Sequence, residues 1–288
     1  MAEILNISNL TVAPKNEPNR FLVNNANLSL AAGKTTCIVG ESGSGKSLTA
    51  LSIMGLLSKQ LQASGSVVFK GQDIARLDNK ALQKIRGAKI GMIFQEPMTS
   101  LNPVLTVGYQ IGESLTAHLG LKGSGLKLRI ESLLQQVGIP MDRANSYPDE
   151  LSGGQRQRVM IAMSIACEPA LLIADEPTTA LDMTVQAQIL QLLDELKTRM
   201  NMAMLFITHD FGVVADIADD VIVMFRGEIV ETGTKKQVLE KPQHPYTKAL
   251  LACVPDYEGK KLLKPIDYAW LKDENLKQEK LNDSKVAL

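Results

Sequence analysis

The chain has 288 residues, 45 % of them apolar and 22 % charged, which is the composition of an ordinary globular protein. Its 31 Lys and Arg residues balance 31 Asp and Glu residues, so no basic arm is offered to nucleic acid. Cys37, Cys167 and Cys253 are too far apart for a disulfide framework or a Cys-x-x-Cys metal site, which is typical of buried cysteines in a reducing compartment. Since no stretch of about 20 uncharged apolar residues occurs, we expect a cytosolic protein that meets a membrane only through a partner.

The most informative segment is GESGSGKS at residues 40–47, which has the spacing of a P-loop. It follows a short β-rich apolar run at 36–39 and precedes a predicted helix at 47–57, so strand, loop and helix come in the required order. The alternative, a glycine-rich turn that matches the P-loop spacing by chance, would not be expected to lie between a strand and a helix. In a P-loop the backbone N–H groups surround a phosphate chain, the lysine reaches the β- and γ-phosphates, and the final hydroxyl ligates Mg²⁺. The predicted ATP-binding residues are Gly40, Glu41, Ser42, Gly43, Ser44, Gly45, Lys46 and Ser47.

The pattern of predicted elements changes along the chain. Residues 1–95 are β-rich with frequent turn signals, whereas helical periodicity dominates from 97 to 166. Apolar strands then return at 171–174 and 203–207, with a helix at 185–200 between them. This β-α-β order predicts an α/β fold with a mostly parallel sheet, into which a helical subdomain is inserted. Residues 221–225 and 228–231 predict a terminal hairpin.

Acidic residues follow the strand at 171–174. Asp175 at the end of such a strand is placed to hold Mg²⁺, usually through water, and Glu176 to orient or deprotonate the attacking water. A solvated acidic turn is the alternative, which the nearby P-loop disfavours. His209 follows the strand at 203–207 in the same way and can approach the γ-phosphate, although an ordinary surface histidine is the simpler explanation for this residue alone.

The segment LSGGQ at residues 151–155 precedes a predicted helix at 159–166. Its N–H groups, the Ser152 hydroxyl and the helix dipole all favour an anion. A second phosphate-binding turn cannot easily share the nucleotide of the first, so this segment requires another explanation.

Taken together, residues 3–256 resemble the nucleotide-binding subunits of ABC transporters. The resemblance implies the ABC ATPase fold of the P-loop NTPase class, with a RecA-like core and an N-terminal antiparallel β-subdomain. The implied domains are the nucleotide-binding core at 1–96 and 167–240, the helical subdomain at 97–166 and a C-terminal extension at 241–288.

The same resemblance implies roles for further residues. Two subunits face each other head to tail, so that LSGGQ contacts ATP held by the partner's P-loop. The signature residues are then Ser152, Gly153, Gly154 and Gln155. Gln95 matches the glutamine that senses Mg²⁺ and the attacking water, Asp182 lies in the D-loop, and His209 matches the switch histidine. The implied activity is ATP hydrolysis with Mg²⁺, and Glu176, His209 and Gln95 are the catalytic candidates.

Residues 95–103 and 244–251 resemble the branch that serves oligopeptide, dipeptide and nickel importers. This implies a subunit at the cytoplasmic face of the inner membrane that powers uptake of a peptide or a similar solute. Its implied partners are a second ABC ATPase subunit, in a heterodimer rather than a homodimer, two transmembrane permease subunits and, indirectly, a solute-binding protein. A soluble ABC ATPase acting on nucleic acid or ribosomes, and a module that gates without hydrolysis, are the alternatives.

Two departures from the family pattern lead to expectations of their own. Many members of the branch carry a cysteine cluster after the His-Pro-Tyr stretch, but Cys253 is the single cysteine there, so we expect no iron–sulfur cluster. The residue expected to stack on adenine is Ala13 rather than an aromatic residue. Phe21 is a possible substitute, and weaker stacking is the alternative, at a loss of about 1–3 kcal/mol.

Overall fold

The computed structural model describes residues 2–95, 100–179 and 181–253. In chain order the strands are β1 (Glu3–Pro14), β2 (Val23–Ala31), β3 (Thr35–Val39), β4 (Leu61–Phe69), β5 (Gln72–Asp73), β6 (Ile90–Ile93), β7 (Leu171–Asp175), β8 (Ala203–Thr208), β9 (Asp220–Phe225) and β10 (Glu228–Thr234). The helices are α1 (Lys46–Met54), α2 (Asn79–Gln83), α3 (Val107–Leu119), α4 (Gly123–Gln136), α5 (Gly153–Ile165), α6 (Met183–Met200), α7 (Phe211–Ile217), α8 (Lys235–Glu240) and α9 (Pro245–Ala252). Short 3₁₀ turns cover Ile74–Arg76, Met141–Asn145 and Pro148–Glu150.

The larger sheet has six strands in the order β10-β9-β3-β8-β7-β6. Five of them run parallel, and β10 is antiparallel to β9. β3 lies between β8 and β9, where Cys37 pairs with Phe206 on one side and Val221 on the other. Because β6, β7, β8 and β3 are parallel neighbours, the loops that follow them gather at one edge of the sheet.

Helices and a second sheet cover the two faces of this parallel sheet. All residues of β3, β7 and β8 are buried, as expected of strands with apolar cover on both faces. Side chains alternate along β3: Cys37 and Val39 pack in the core formed with the helices, while Ile38 packs in the core shared with α1 and the smaller sheet. The sheet is therefore the rigid middle layer of the molecule.

The smaller sheet is antiparallel, with strand order β2-β1-β4-β5. The predicted α/β fold, with its mostly parallel sheet and an N-terminal antiparallel sheet, is thus confirmed. The predicted terminal hairpin is also present as β9 and β10. Arg226 and Gly227 at its turn both have positive φ, 48° and 86°, as a tight two-residue hairpin turn requires.

Some helix boundaries differ from the prediction. α1 ends at Met54 rather than at residue 57, because Gly55 adopts the left-handed conformation and caps it. α5 begins at Gly153, six residues before the predicted start, because Ser152 and Gln155 form a reciprocal capping box. The glycines of the LSGGQ segment therefore belong to the first turn of the helix.

Helices α3, α4 and α5 occupy the chain between β6 and β7, where helical structure was predicted. The expected boundary at 96/97 lies outside the described residues, as do Ala180 of the D-loop and the part of the C-terminal extension beyond 253. Cys37 is buried, but Cys167 and Cys253 are partly exposed, contrary to the expectation for all three. Within the described ranges, no helix combines the length and apolar character that crossing a membrane requires.

Candidate nucleotide site

Three parallel strands deliver the predicted site residues to one edge of the sheet. The P-loop follows β3, Asp175 ends β7 with Glu176 directly after it, and His209 follows β8. A cavity of about 390 Å³ opens between them. Its lining residues are Gly40, Glu41, Ser42, Gln95, Glu176, His209, Phe211 and Leu250. The structure therefore brings the P-loop, the strand-end acid, the glutamine and the histidine to one place.

Glycines permit the course of the P-loop. Gly43 and Gly45 have φ values of 80° and 102°, which L side chains rarely adopt. Gly40 is required for a different reason, since a Cβ there would lie 2.1 Å from the Met224 carbonyl oxygen on β9. The loop is thus bent tightly against the neighbouring strand, with α1 starting at its end.

The Lys46 side chain is buried and folded back over the loop. Its Nζ donates hydrogen bonds of 2.8 Å to the carbonyl oxygens of Gly40 and Glu41. Burial lowers the pKa of Lys46, and the carboxylates of Glu176, Asp175 and Glu41 oppose that shift. A phosphate group is the natural ligand for an ammonium that is held at the mouth of a glycine-rich loop.

Ser47 and Asp175 form a pair of oxygen ligands. The Ser47 Oγ donates a 3.0 Å hydrogen bond to Asp175 Oδ1. Burial raises the pKa of Asp175 and nearby Glu176 raises it further, whereas the Ser47 hydrogen bond and the Lys46 charge lower it. A hydroxyl and a carboxylate that converge in this way are ligands of the kind Mg²⁺ prefers, so the residues present fit a magnesium ion bound with phosphates.

Glu176 is the centre of a small hydrogen-bond network. Its Oε2 accepts a 2.9 Å hydrogen bond from Thr179 Oγ1 and a 3.3 Å hydrogen bond from Gln95 Nε2, and it lies 3.3 Å from His209 Nδ1. The side chain is only 12 % exposed, whereas that of His209 is 60 % exposed.

The backbone of Glu176 is itself unusual. Its φ is 47°, in the left-handed region, and its N–H donates a 2.9 Å hydrogen bond to the Ile207 carbonyl. A non-glycine residue in this conformation is strained, which is common where side chains are held for function. The turn aims the carboxylate towards the cavity instead of continuing the strand.

The signature residues lie elsewhere in the chain's structure. Ser152 and Gly153 are exposed at the start of α5, and among the described residues that line the P-loop cavity none belongs to 152–155. Asp182 accepts a 2.9 Å hydrogen bond from the Val185 N–H and caps α6. The structure of one subunit therefore does not unite these residues with the P-loop, and their predicted contact with a partner's nucleotide stays a prediction.

Sequence reasoning missed four residues of the site. Thr179 supports Glu176, Phe211 and Leu250 line the cavity, and the Tyr246 hydroxyl accepts a 3.1 Å hydrogen bond from the Glu41 N–H. The Thr179 contact could have been suspected from its spacing three residues after Glu176. The other three depend on packing between distant parts of the chain.

The region where adenine is expected to stack lies beside the smaller sheet. Ala13 is 4 % exposed and pairs with Gln62, so its side chain offers no stacking surface. Phe21 is 48 % exposed beside it, and the two residues line a common cavity of about 270 Å³. Phe21 is thus the aromatic ring that this region presents.

A glycine-rich loop at the carboxyl edge of a parallel sheet, with an ion-ligand pair and the partly buried carboxylate of Glu176 beside it, defines a P-loop nucleotide-binding protein. Residues 23–179, more than half of the chain, match the ABC transporter family. Residues 230–277 match the C-terminal region of oligopeptide/dipeptide transporters. The chain belongs to the ABC transporter family and carries its ATP-binding domain, and the match at 230–277 agrees with the predicted resemblance to the oligopeptide/dipeptide branch.

Curated relatives include the glutathione import ATP-binding protein GsiA. The chain is 51 % identical to GsiA of Salmonella typhimurium over 267 residues, which is 88 % of this chain and 42 % of the relative. It is 50 % identical to GsiA of Escherichia coli O157:H7 over 278 residues, which is 92 % of this chain and 44 % of the relative. The chain therefore spans less than half the length of these relatives.

Solved structures with the same fold include an ATP-binding cassette and a component of an ABC transporter complex. A dimeric post-hydrolysis state of the cassette MJ0796, bound to ADP and phosphate, has a TM-score of 0.72 and 31 % identity, and the match covers 81 % of this chain and 99 % of that one. CbiO1 of Clostridium perfringens, part of the transporter complex CbiONQ, has a TM-score of 0.73 and 28 % identity over 84 % of this chain and 92 % of that one. These matches confirm the predicted ABC ATPase fold.

Proposed function

We propose that this chain is the ATP-hydrolysing subunit of an ABC importer that powers uptake of a peptide or a similar solute. The observation that carries the proposal is the position of Glu176 beside the Ser47 and Asp175 pair at the mouth of the P-loop. Glutathione, which the GsiA relatives are named for importing, is a short peptide, and the C-terminal match is to oligopeptide and dipeptide transporters. Both support a peptide-like solute.

The P-loop binds the phosphates of ATP. Its backbone N–H groups and the positive end of α1 face the anion, and Lys46 exchanges its two carbonyl partners for phosphate oxygens. This exchange leaves the buried ammonium paired, so binding does not require an uncompensated charge in the cavity.

Ser47 and Asp175 would hold Mg²⁺ at the same edge. When bound there, Mg²⁺ supplies charge neutralisation for the phosphate oxygens. The hydrogen bond between the two side chains holds both oxygens together at the end of the P-loop, and burial is the main cause of the raised pKa of Asp175.

Glu176 orients a water molecule and accepts its proton as that water attacks the terminal phosphorus and the bond to the leaving ADP oxygen breaks. Thr179 fixes the carboxylate from one side, while Gln95 and His209 approach the same oxygen. Gln95 and His209 therefore position the carboxylate and the reacting groups, and their long 3.3 Å contacts leave room for rearrangement when ATP enters.

The active assembly is a head-to-tail dimer with a second ABC ATPase subunit, in a heterodimer rather than a homodimer. The exposed start of α5 supports this, because Ser152 and Gly153 are free to meet a nucleotide on another subunit. Asp182, which caps α6, would lie in the same interface. Two transmembrane permease subunits and, indirectly, a solute-binding protein complete the importer. In that assembly this chain lies at the cytoplasmic face of the inner membrane.

The proposed division of the chain into domains is the core at 1–96 and 167–240, the helical subdomain at 97–166 and the extension at 241–288.

Two measurements test the proposal. The first is steady-state ATP hydrolysis by the purified chain with and without Mg²⁺, beside a Lys46→Ala variant as the control for contaminating ATPases. The second is purification of the tagged chain from its native membranes in mild detergent, with mass spectrometry of the proteins that accompany it. Two multi-span proteins and a second ATPase are expected. Recovery of ribosomes or DNA-associated proteins without membrane components would overturn the importer function while leaving the ATPase chemistry intact.

A further inference from the structure

The C-terminal extension reaches the P-loop through one side chain. Tyr246 lies at the start of α9 and is fully buried, the largest side chain buried to this degree among the described residues. Its ring packs against that of Phe225, with centroids 4.2 Å apart and planes inclined by 39°. Its hydroxyl accepts the 3.1 Å hydrogen bond from the Glu41 N–H, across 205 residues of sequence. A rigid ring thus connects the extension to the second residue of the P-loop.

Two neighbours hold the loop at this point. The Gly227 N–H, at the turn of the β9–β10 hairpin, donates a 3.0 Å hydrogen bond to the Ser44 carbonyl. Gly40 lies so close to the Met224 carbonyl that a side chain would not fit. The hairpin therefore fixes the loop at Gly40 and Ser44, and Tyr246 fixes the amide at Glu41 between them.

The segment that carries Tyr246 is anchored in turn. The carboxylate of Glu231 on β10 accepts hydrogen bonds from the N–H groups of Gln243 and His244, at 2.7 and 3.1 Å. His244 Nδ1 accepts a 3.2 Å hydrogen bond from the Tyr246 N–H. At the other end of α9, Leu250 lines the nucleotide cavity. The helix is thus placed by the sheet at its start and borders the site at its end.

We propose that Tyr246 is a positioning residue for the ATPase: its hydroxyl sets the Glu41 amide and so the conformation from which the P-loop receives the phosphates. The inference rests on the proposed function, since it assigns the C-terminal extension a role in nucleotide binding. A phenylalanine ring would fill the core equally well, but only the tyrosine hydroxyl reaches the loop amide. The proposed role therefore requires tyrosine.

Tyr246→Phe is the direct test, with Thr247→Val as its matched control. Thr247 is the next residue of α9 and is fully buried, and its Oγ1 has no hydrogen-bond partner among the residues the structure describes. Both variants therefore delete one buried hydroxyl from the same helix, but only Tyr246→Phe removes a contact with the P-loop. Circular dichroism and thermal melting establish that each full-length variant is folded.

Three readouts separate positioning from packing. The affinity for a fluorescent ATP analogue with Mg²⁺ should fall about 3- to 10-fold in Tyr246→Phe, the equivalent of one hydrogen bond, and stay at the parent value in Thr247→Val. Hydrogen exchange at the Glu41 amide, followed by mass spectrometry without nucleotide, should accelerate in Tyr246→Phe alone. In the active complex KM for ATP should rise while kcat changes less than about twofold, because saturating nucleotide restores the loop.

Parent affinity and parent exchange at Glu41 in Tyr246→Phe would overturn the inference while the proposed function stands. An equal loss of affinity in both variants would also overturn it, since packing of α9 would then be the cause. A parent chain that binds no ATP analogue would instead overturn the proposed function, and the inference with it.

Discussion

Glu176 and His209 meet at the mouth of the nucleotide cavity, where the Glu176 Oε2 lies 3.3 Å from the His209 Nδ1. The two residues directly follow neighbouring parallel strands, β7 and β8, and Thr179 holds the same carboxylate oxygen at 2.9 Å. The carboxylate is thereby aimed into the cavity from a strained turn. The proposed hydrolysis of ATP depends on this orientation of the Glu176 carboxylate.

Substitution of Glu176 by Gln should separate binding from hydrolysis. The amide keeps the size of the side chain but cannot accept a proton from water, so turnover should fall about 100-fold or more while ATP affinity remains within about threefold. ATP-bound dimers should accumulate and be visible by size-exclusion chromatography with light scattering. Hydrolysis at the parent rate would remove Glu176 from its assigned role.

His209→Ala should reduce turnover without loss of nucleotide binding. His209 is exposed and contacts Glu176, so its loss misplaces the reacting groups, at a cost of about 10- to 100-fold in kcat. Nucleotide affinity and melting temperature should stay near the parent values. His118→Ala is the control, because that histidine lies at the end of α3, outside the described lining of the P-loop cavity. Equal effects of the two substitutions would contradict the prediction.

Asp175→Asn should change the pH dependence of stability. Burial raises the pKa of Asp175 above its ordinary value of 3.8, so the folded parent binds a proton at this carboxyl more tightly than the unfolded chain does. The protonated carboxyl therefore contributes to the free energy of unfolding at low pH, and this contribution is lost as pH rises through the raised pKa. The free energy of unfolding of Asp175→Asn relative to the parent should therefore increase from about pH 3.8 upwards, in urea titrations without Mg²⁺ and nucleotide. Mg²⁺-dependent ATP binding should be weakened in the same variant. A difference from the parent that shrinks as pH rises would show the opposite sign of the shift.

Gly153→Ala tests the signature segment apart from folding. A Cβ at Gly153 meets nothing within 4 Å, and the residue is in the first turn of α5, so alanine should stabilise the chain by up to about 1 kcal/mol. If a partner's nucleotide approaches this backbone, ATP-driven dimerisation and turnover should nevertheless be lost. Full turnover in the stable variant would exclude that approach.

Gly154→Ala offers the contrasting case. A Cβ there would lie 2.8 Å from Val185 Cγ1 on α6, so this substitution should lower the melting temperature as well as turnover. Thermal melting and steady-state hydrolysis of the two variants, measured side by side, distinguish an interface defect from a packing defect.

Much of the site could be predicted from the sequence because its residues occur in short contiguous segments. The P-loop at 40–47, Asp175 and Glu176 after β7, and His209 after β8 all follow apolar strands, and the ends of parallel strands meet at one edge. The start of α5 was predicted too late because glycines have low helix propensity, although the Ser152 and Gln155 capping pair signals the true start.

The sequence by itself determined the family and the parallel sheet and supplied the candidate ligands for phosphate, because these depend on local order and spacing. Only the tertiary structure decided that the Tyr246 hydroxyl meets the Glu41 amide, that Leu250 borders the nucleotide cavity and that Ala13 is buried. These contacts join segments far apart in the chain, and the packing of one layer on another sets them. The same packing keeps Ser152 and Gly153 at the surface, away from the P-loop of their own subunit.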